Sequence, residues 1–415
     1  MILKKIYICK VKCDIMKKRI ILLMALMSMI CGTLRAQSTY SLEEILPQIN
    51  ADSLLRTVLD LQNFGSRLAI REGGNREVAE YLVQRFENYG VTAVIDSFFL
   101  QGVLGHQIIY QWFYNVKGVL PADNPIDDSL ILVGAHLDAI AFSYNNAKEL
   151  VDAPGADDNA SGVAVMIELA RICHENNLQF RRDIHFMAFD FEEFGKFGSQ
   201  YDAQKRKDKG EKIALMMNND MVSYQPDDNW ILFLRWYYNA MDVVSRAAAI
   251  CSQYTKLVPV IASYSENEER NMRSDSYSYY KNGFRAIYSS EYTMSQSYHS
   301  SHDVADSNNY DYLAEVTRYN MAMLAAYADP ASGITSKVAA ARAYPNPTCG
   351  KVTIQYILDN ISPVHIAVFD MQGREVIRHE ITLQILVYTT WNWIFQGFGA
   401  VFMSSNLELT REWRL

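Results

Sequence analysis

The stretch Pro154-Gly-Ala-Asp-Asp-Asn-Ala-Ser-Gly162 places two aspartates and an asparagine side by side between turn-forming residues. An apolar strand-like run precedes it at residues 130–133, and a helix-like segment follows at residues 163–172. The stretch is therefore predicted to be a loop between a strand and a helix. No lysine or arginine lies directly beside its negative charge, so we expect the balancing cation to be a bound metal ion.

The segments around this loop predict the fold class. Four short apolar runs are typical of buried strands, at residues 130–133, 184–189, 213–217 and 284–288. Three segments have apolar residues at helical spacing, at residues 75–89, 163–172 and 312–327. Strands that alternate with helices predict an α/β fold with a mostly parallel mixed sheet flanked by helices.

Polar residues follow three of these predicted strands at the point where each strand ends. His136 follows the first run, Glu192 and Glu193 follow the second, and Asp220 follows the third. Ligands of open α/β sheets bind outside the carboxyl ends of the strands. We therefore expect these side chains to converge on one site.

The residue types of this site favour a divalent metal. Imidazole and carboxylate ligands without thiolates suit zinc or a similar ion. The candidate ligands fall in five places along the chain: His136 with Asp138, Asp157 with Asp158, Glu192 with Glu193, Asp220, and His299 with Asp303. Five ligands on separate loops are too many for one four-coordinate zinc with an open position, so two metals that share a carboxylate fit better. Glu192 and Glu193 are adjacent, and neighbouring side chains of an extended backbone point to opposite sides. One of them can bind metal while the other reaches the attacking water, and spacing alone does not decide which.

The order of these motifs resembles that of the secreted di-zinc aminopeptidase family, whose relatives include glutaminyl cyclases, glutamate carboxypeptidase and the transferrin receptor ectodomain. The resemblance covers roughly residues 60–325, in a fold of the zinc exopeptidase type. The motifs that carry it are His136-Leu-Asp138, the loop at 154–162, Phe191-Glu-Glu193, Asn219-Asp-Met221, and Tyr298-His299 followed by Asp303.

The resemblance implies a set of metal ligands. It implies that Asp157 bridges two zinc ions, with cobalt or manganese as possible substitutes. His136 and Asp220 would complete one zinc site. Glu193 and His299 would complete the other. His302 lies three residues after His299, but the spacing from His299 to Asp303 matches the family motif, so we select His299.

The resemblance also implies catalytic roles. Glu192 would be the general base, Asp138 would hydrogen-bond the far nitrogen of His136, and Tyr298 would donate to the developing oxyanion. A cis peptide bond between Asp157 and Asp158 is implied as well. The role of Asp275 stays open, because Ser276 stands where the family usually has a histidine.

These features predict an exopeptidase, an aminopeptidase that hydrolyses the N-terminal bond of peptide substrates with a metal-activated water. Two alternatives stay open: a one-zinc glutaminyl cyclase that forms N-terminal pyroglutamate, and a metal-free binding ectodomain. Cyclases tend to lose the second acidic residue and the Ala-Ser-Gly of the loop, both of which this chain keeps. The net charge of −8 and the absence of a basic stripe argue against nucleic acid as a partner.

The ends of the chain predict export. We interpret residues 1–36 as a signal peptide with its true start at Met16, 37–328 as the peptidase domain and 329–342 as a linker. Residues 343–383 resemble the sorting domain of type IX secretion cargo, which implies a secreted or cell-surface protein exported through the periplasm of a Bacteroidetes-type bacterium by that machinery. Residues 384–415 are interpreted as a divergent or frame-shifted tail.

Cys173, Cys251 and Cys349 follow the signal peptide and are odd in number, so no disulfide framework is indicated.

Overall fold

The computed structural model of the chain describes residues 41–104, 107–143, 150–262 and 271–328, together with the backbone of five strands between residues 341 and 394. The predicted signal peptide and most of the predicted linker lie outside the described residues. Cys349 and the last residues of the predicted tail lie outside them as well.

One mixed sheet organises the first part of the chain. Its eight strands are β1 (Thr92–Leu104), β2 (Gln107–Leu120), β3 (Ser129–His136), β4 (Asp183–Phe189), β5 (Lys212–Asn219), β6 (Ile231–Trp236), β7 (Val258–Ile261) and β8 (Ala286–Glu291). Their order is β1-β2-β4-β3-β5-β8-β6-β7. Four neighbouring pairs are parallel and three are antiparallel, which confirms the predicted α/β class with a mostly parallel mixed sheet.

Helices flank this sheet. They are α1 (Leu42–Ile45), α2 (Ala51–Gln62), α3 (Arg76–Asn88), α4 (Gly162–Glu175), α5 (Phe197–Asp208), α6 (Met241–Tyr254), α7 (Ser276–Lys281) and α8 (Tyr310–Ala328). Helices α2, α6 and α8 form one packed group with α4, and α5 packs against α7. Among the described residues, no helix is both long enough and apolar enough to cross a membrane.

The central strand β3 is buried on both faces, which explains its continuous apolar sequence. Leu130 and Leu132 belong to a core cluster that includes Ala203 of α5 and Tyr279 of α7. Successive strand residues point to opposite faces, so Ile131 lies on the other face, where α4 and α8 contact β3. Burial on both faces removes the alternation of polar and apolar residues that marks a half-exposed strand.

Five β-strands lie in the C-terminal part of the chain. Strands β9 (Ala341–Tyr344), β10 (Lys351–Tyr356) and β13 (Thr389–Ile394) form an antiparallel sheet in the order β13-β10-β9. Strands β11 (Val364–Phe369) and β12 (Glu375–Ile381) form an antiparallel pair. Strand β13 falls in the segment predicted to be divergent, yet it pairs with β10.

His185 of β4 is a buried neutral histidine. Arg206 Nη1 lies 3.0 Å from its Nδ1, and because arginine can only donate, Nδ1 must accept. Burial, reinforced by the charges of Arg206 and Lys117, lowers the pKa of His185 to about 3. The imidazole therefore stays uncharged in the folded protein through the mildly acidic range.

This histidine makes folding stability depend on pH. Unfolded His185 has a pKa near 6.5, so between about pH 6.5 and about pH 3 the unfolded chain binds a proton that the folded chain does not. The free energy of unfolding should fall as the pH is lowered through this window, by up to about 1.4 kcal/mol per pH unit. His185→Gln should remove this contribution, as measured by urea unfolding at several pH values. His174→Gln, at an exposed histidine of α4, is the control, and equal pH slopes in the two variants would contradict the prediction.

Candidate metal centre

The carboxyl ends of three parallel strands bring the candidate ligands together. His136 is the last residue of β3, Asp220 directly follows β5, and Glu192 and Glu193 lie in the turn after β4. These side chains and Asp158 line one cleft of about 180 Å³. The expectation that the polar residues at the strand ends converge is therefore correct.

Two groups of metal-binding atoms share one carboxylate. Asp158 Oδ1 lies 3.1 Å from His136 Nε2, and Asp158 Oδ2 lies 3.3 Å from His299 Nε2. Asp220 Oδ1 lies 3.5 Å from His136 Nε2, and Glu193 Oε2 lies 2.9 Å from His299 Nε2. Within each group the ligand atoms lie within 4.8 Å of one another. This arrangement can hold two cations with Asp158 between them.

Atoms without hydrogen bonds support a cation at this position. Glu193 Oε1 and His299 Nε2 are buried and make no hydrogen bond to any described residue. Leaving a buried polar group unsatisfied costs about 1–3 kcal/mol. A metal ion would satisfy both atoms, and their nitrogen and oxygen chemistry suits zinc.

The electrostatics of the cluster also favour a bound cation. Burial, followed by repulsion from Asp158, raises the pKa of Glu193 to about 8. Burial opposes the charge of His299, but the neighbouring Asp158 and Glu193 raise the pKa of His299 to about 10. Burial also acts to raise the pKa of Asp158, yet the two neighbouring histidines, His136 and His299, outweigh it and lower that pKa. Because ligands must be deprotonated, metal binding here would be coupled to proton release.

Asp158, rather than Asp157, is the carboxylate that the two ligand groups share. The side chain of Asp157 is turned to Ser223, whose backbone N and Oγ donate to Asp157 Oδ1 at 2.9 and 2.7 Å. Burial raises the pKa of Asp157, against the lowering effect of the neighbouring Glu291 and Ser223. The shared carboxylate therefore lies one residue after Asp157, which we predicted for this position. The cis peptide bond is displaced in the same way, since it joins Asp158 to Asn159.

Two residues distant in sequence hold the loop that carries Asp158. The carboxylate of Asp303 accepts hydrogen bonds from Asp157 N at 2.8 Å and from Asp158 N at 3.0 Å. The fully buried Arg67 donates to Gly155 O at 2.6 Å and to Pro154 O. The position of the shared carboxylate thus depends on contacts that no local pattern reveals.

Asn159 connects this loop to the neighbouring strand and helix. Its Oδ1 accepts from Gly162 N at 3.0 Å, at the start of α4. Its Nδ2 donates to Asn219 O at 2.9 Å, one residue before the candidate ligand Asp220. A Cβ atom at Gly162 would collide with Asn219 O, so the close approach of α4 to β5 requires glycine at that position.

Asp138 positions the turn with the two glutamates. It is fully buried, and its carboxylate accepts from Glu192 N at 3.0 Å and from Glu193 N at 3.2 Å. Its backbone oxygen lies 3.1 Å from His136 Nδ1, whereas its carboxylate Oδ1 is 3.6 Å away. His136 Nδ1 is therefore closer to the backbone oxygen of Asp138 than to its carboxylate, which we predicted as the hydrogen-bond partner.

Glu192 and Tyr298 line the cleft without belonging to either ligand group. Burial raises the pKa of Glu192 well above its usual range. The Tyr298 ring stacks on His299 with 3.7 Å between the ring centres. Burial also raises the pKa of Tyr298, which keeps its hydroxyl protonated at neutral pH.

Other candidates lie outside the ligand groups. His302 is exposed and belongs to neither group. Asp275 is fully buried, and burial raises its pKa to about 7. Tyr279 belongs to the core cluster around α7, and Tyr277 and Tyr280 pack against it.

A larger groove of about 580 Å³ lies beside β1 and α5, but no residue of the two ligand groups lines it.

Comparison with known proteins places these features in a family. Residues 115–324 match the model of peptidase family M28, and residues 342–390 match the model of a secretion system C-terminal sorting domain. The first match covers the ligands of both groups. The second covers β10, β11 and β12.

Two curated relatives match part of the chain. A probable leucine aminopeptidase of Arthroderma otae is 28% identical over 185 residues, which cover 43% of this chain and 48% of that protein. A probable zinc metalloprotease of Pyrenophora teres f. teres is 33% identical over 196 residues, which cover 44% and 40%. The chain thus spans about half the length, or less, of these relatives.

Solved structures share the fold. The LapA aminopeptidase of Legionella pneumophila is 21% identical, with a TM-score of 0.56 over 72% of this chain and 77% of that one. The glutaminyl cyclase of Fimbriiglobus ruber is 16% identical, with a TM-score of 0.55 over 66% and 95%. At these identities the likeness is one of fold.

Asp303→Asn tests the support of the shared carboxylate. Asparagine has a similar size but offers one acceptor oxygen instead of two, so one backbone N–H of the loop loses its acceptor. The affinity for Zn²⁺, measured by competition with a chelator, should fall about 10- to 100-fold. Asp306→Asn, at an exposed residue nearby, is the control and should bind Zn²⁺ as the unaltered protein does. An unchanged affinity in Asp303→Asn would show that the loop holds its position without this carboxylate.

Proposed function

The chain belongs to peptidase family M28, and on this basis we propose that it is a secreted zinc-dependent exopeptidase, an aminopeptidase that hydrolyses the N-terminal bond of peptides. The observation that carries the proposal is the pair of ligand groups that share Asp158, with Glu192 beside them in the same cleft. The names of the relatives, a probable leucine aminopeptidase and a probable zinc metalloprotease, support it.

The two ligand groups suit two metal ions. His136, Asp158 and Asp220 would hold one ion, and Asp158, Glu193 and His299 would hold the other. Zinc bound here would polarise the scissile carbonyl and lower the pKa of a bound water toward about 7. Cobalt and manganese accept the same nitrogen and oxygen donors.

Glu192 is the proposed general base. It is buried at the cleft and belongs to neither ligand group, so its carboxylate is available to the attacking water. It would take a proton from this water as the oxygen bonds to the scissile carbon, and would pass the proton to the nitrogen as the carbon–nitrogen bond breaks. Asp138 would act as a positioning residue, because its carboxylate holds the backbone N–H groups of Glu192 and Glu193.

Tyr298 is the proposed donor to the developing oxyanion. It lines the cleft, and its stacking on His299 fixes the plane of its ring. Its raised pKa keeps the phenol protonated at neutral pH, so the hydroxyl can donate a hydrogen bond. A free substrate ammonium would be attracted to the remaining carboxylate charge of the cleft, which favours cleavage at the N-terminus.

Two alternatives are less well supported. A glutaminyl cyclase shares the fold, but cyclases use one zinc, whereas two ligand groups are complete here. A metal-free binding ectodomain would have lost ligands. The complete groups, with their unsatisfied buried atoms, favour metal binding.

We also propose that the protein is exported. Residues 342–390 match a secretion system C-terminal sorting domain, and the β-strands at these residues fit such a module. The partner implied is the type IX secretion machinery, with release outside the cell or attachment to its surface.

Glu192→Gln tests the proposed mechanism. Glutamine keeps the size of the side chain but cannot accept a proton, so kcat on peptides with free N-termini should fall at least about 100-fold. Zinc content should stay at two per chain. Glu87→Gln, at an exposed residue of α3, is the control and should retain full turnover. N-acetylated peptides should resist the unaltered enzyme, and their rapid cleavage would contradict the exopeptidase assignment.

A further inference from the structure

The turn that carries Glu192 and Glu193 begins with a backbone conformation that phenylalanine rarely adopts. Phe191, directly before Glu192, has a φ of 62°, which lies in the left-handed region. A Cβ atom is crowded in this region, and glycine is the residue that adopts it without steric conflict. The contacts of the Phe191 side chain with its surroundings therefore have to hold the backbone in this conformation.

The backbone at Phe191 sets the direction of the two glutamates. Successive backbone N–H groups converge on one anion where right-handed and left-handed conformations meet. The N–H groups of Glu192 and Glu193 converge in this way on the carboxylate of Asp138, at 3.0 and 3.2 Å. A relaxation of φ at Phe191 would therefore move both glutamates relative to Asp138.

An aromatic stack holds the Phe191 side chain. The centre of its ring lies 4.1 Å from that of Phe113 on β2, and the planes of the two rings differ by 9°. The ring of Phe197, the first residue of α5, lies 5.1 Å away at an angle of 22°. Phe191 is only 1% exposed, and Phe113 is fully buried. A close-packed ring with two nearly parallel neighbours has little room for another rotamer.

Hydrogen bonds join the start of the same turn to β2. The carboxylate of Asp190 accepts from Tyr114 N at 2.9 Å and from Phe191 N at 3.0 Å. Asn115 Oδ1 accepts from Asp190 N at 2.9 Å. Three consecutive residues of β2, the stacked phenylalanine and the two that follow it, thus contact the start of the turn. The β1–β2 hairpin is therefore the support on which the glutamate turn rests.

The turn presents two groups that the proposed mechanism needs. Glu193 Oε2 lies 2.9 Å from His299 Nε2 in one ligand group, and Glu192 lines the cleft outside both groups. Misplacement of a reacting group by about 1 Å can lower a rate about 100-fold. Among the described residues, Phe113 and Phe191 are not part of the cleft lining, so the stack acts on the cleft through the backbone of the turn.

We propose that Phe191 is a positioning residue, whose stacking on Phe113 holds the left-handed backbone that directs Glu192 to the attacking water and Glu193 to a metal ion. This inference rests on the proposed function, because it concerns the proposed general base and a proposed ligand. The ring acts through the backbone and touches neither the substrate nor the metal. Ring contact and backbone conformation can be changed separately, which makes the proposal testable.

Two substitutions at residue 191 separate backbone conformation from packing. Phe191→Ala removes the ring but keeps a Cβ atom, so kcat of the zinc-loaded full chain on peptides with free N-termini should fall about 10- to 100-fold. Phe191→Gly also removes the ring, but glycine adopts this backbone without conflict, so kcat should be at least about 5-fold higher than in Phe191→Ala. Packing alone predicts the opposite order, because glycine leaves a larger cavity and a more flexible chain. A glycine variant no more active than the alanine variant would overturn the proposal.

Phe113→Leu tests the stack from its other side. Leucine keeps an apolar side chain but removes the ring face, so kcat should again fall while residue 191 is unaltered. This variant serves as the test if the variants of residue 191 do not fold, and full kcat in the folded protein would overturn the proposal.

Phe86→Ala is the control for the loss of a stacked, buried ring. Phe86 is fully buried on α3 and stacks on Phe186 at 5.4 Å, in a pair that does not include the turn. This variant should lose stability, as measured by urea unfolding, but keep the kcat of the unaltered protein. An equal loss of kcat in Phe86→Ala and Phe191→Ala would contradict a specific role of Phe191.

Zinc binding separates this inference from the proposed function. If the zinc-loaded unaltered protein cleaves no peptide with a free N-terminus, the exopeptidase assignment fails, and competition with a chelator then tests the position of Glu193 directly. Phe191→Ala should bind the more weakly held Zn²⁺ about 10- to 100-fold less tightly than the unaltered protein. Phe191→Gly should recover part of this affinity. Equal affinity in the alanine variant and the unaltered protein would refute the positioning role.

Discussion

The carboxylate of Asp158 lies between two histidines, and the cleft is built around this contact. One oxygen faces His136 and the other faces His299. The loop that presents it is held by Asp303 and by the buried Arg67, from opposite parts of the chain. Without these contacts the two ligand groups would not share a residue, and they could not form one bridged centre.

The sheet explains why the candidate ligands meet in one cleft. Parallel strands end at one edge, so polar residues placed after successive strands become neighbours without a sequence motif that joins them. Asp138 then ties the glutamate turn after β4 to the end of β3 through two backbone hydrogen bonds. Asn159 similarly ties the loop that carries Asp158 to β5, next to Asp220. Hydrogen bonds from other strand ends thus hold the glutamate turn and the loop that carries Asp158.

The sequence by itself determined the fold class, the ligand types and the order of the motifs, because apolar runs and clustered acidic residues are local signals. It did not reveal the β1–β2 hairpin, whose exposed face carries Val103, Ile108 and Tyr110 and so lacks a readable burial pattern. Only the tertiary structure decided that Asp158 rather than Asp157 faces the histidines, since the direction of adjacent side chains depends on backbone angles. Only the tertiary structure showed that Arg67 contacts the loop that carries Asp158, because contacts between distant residues leave no periodic pattern in the sequence.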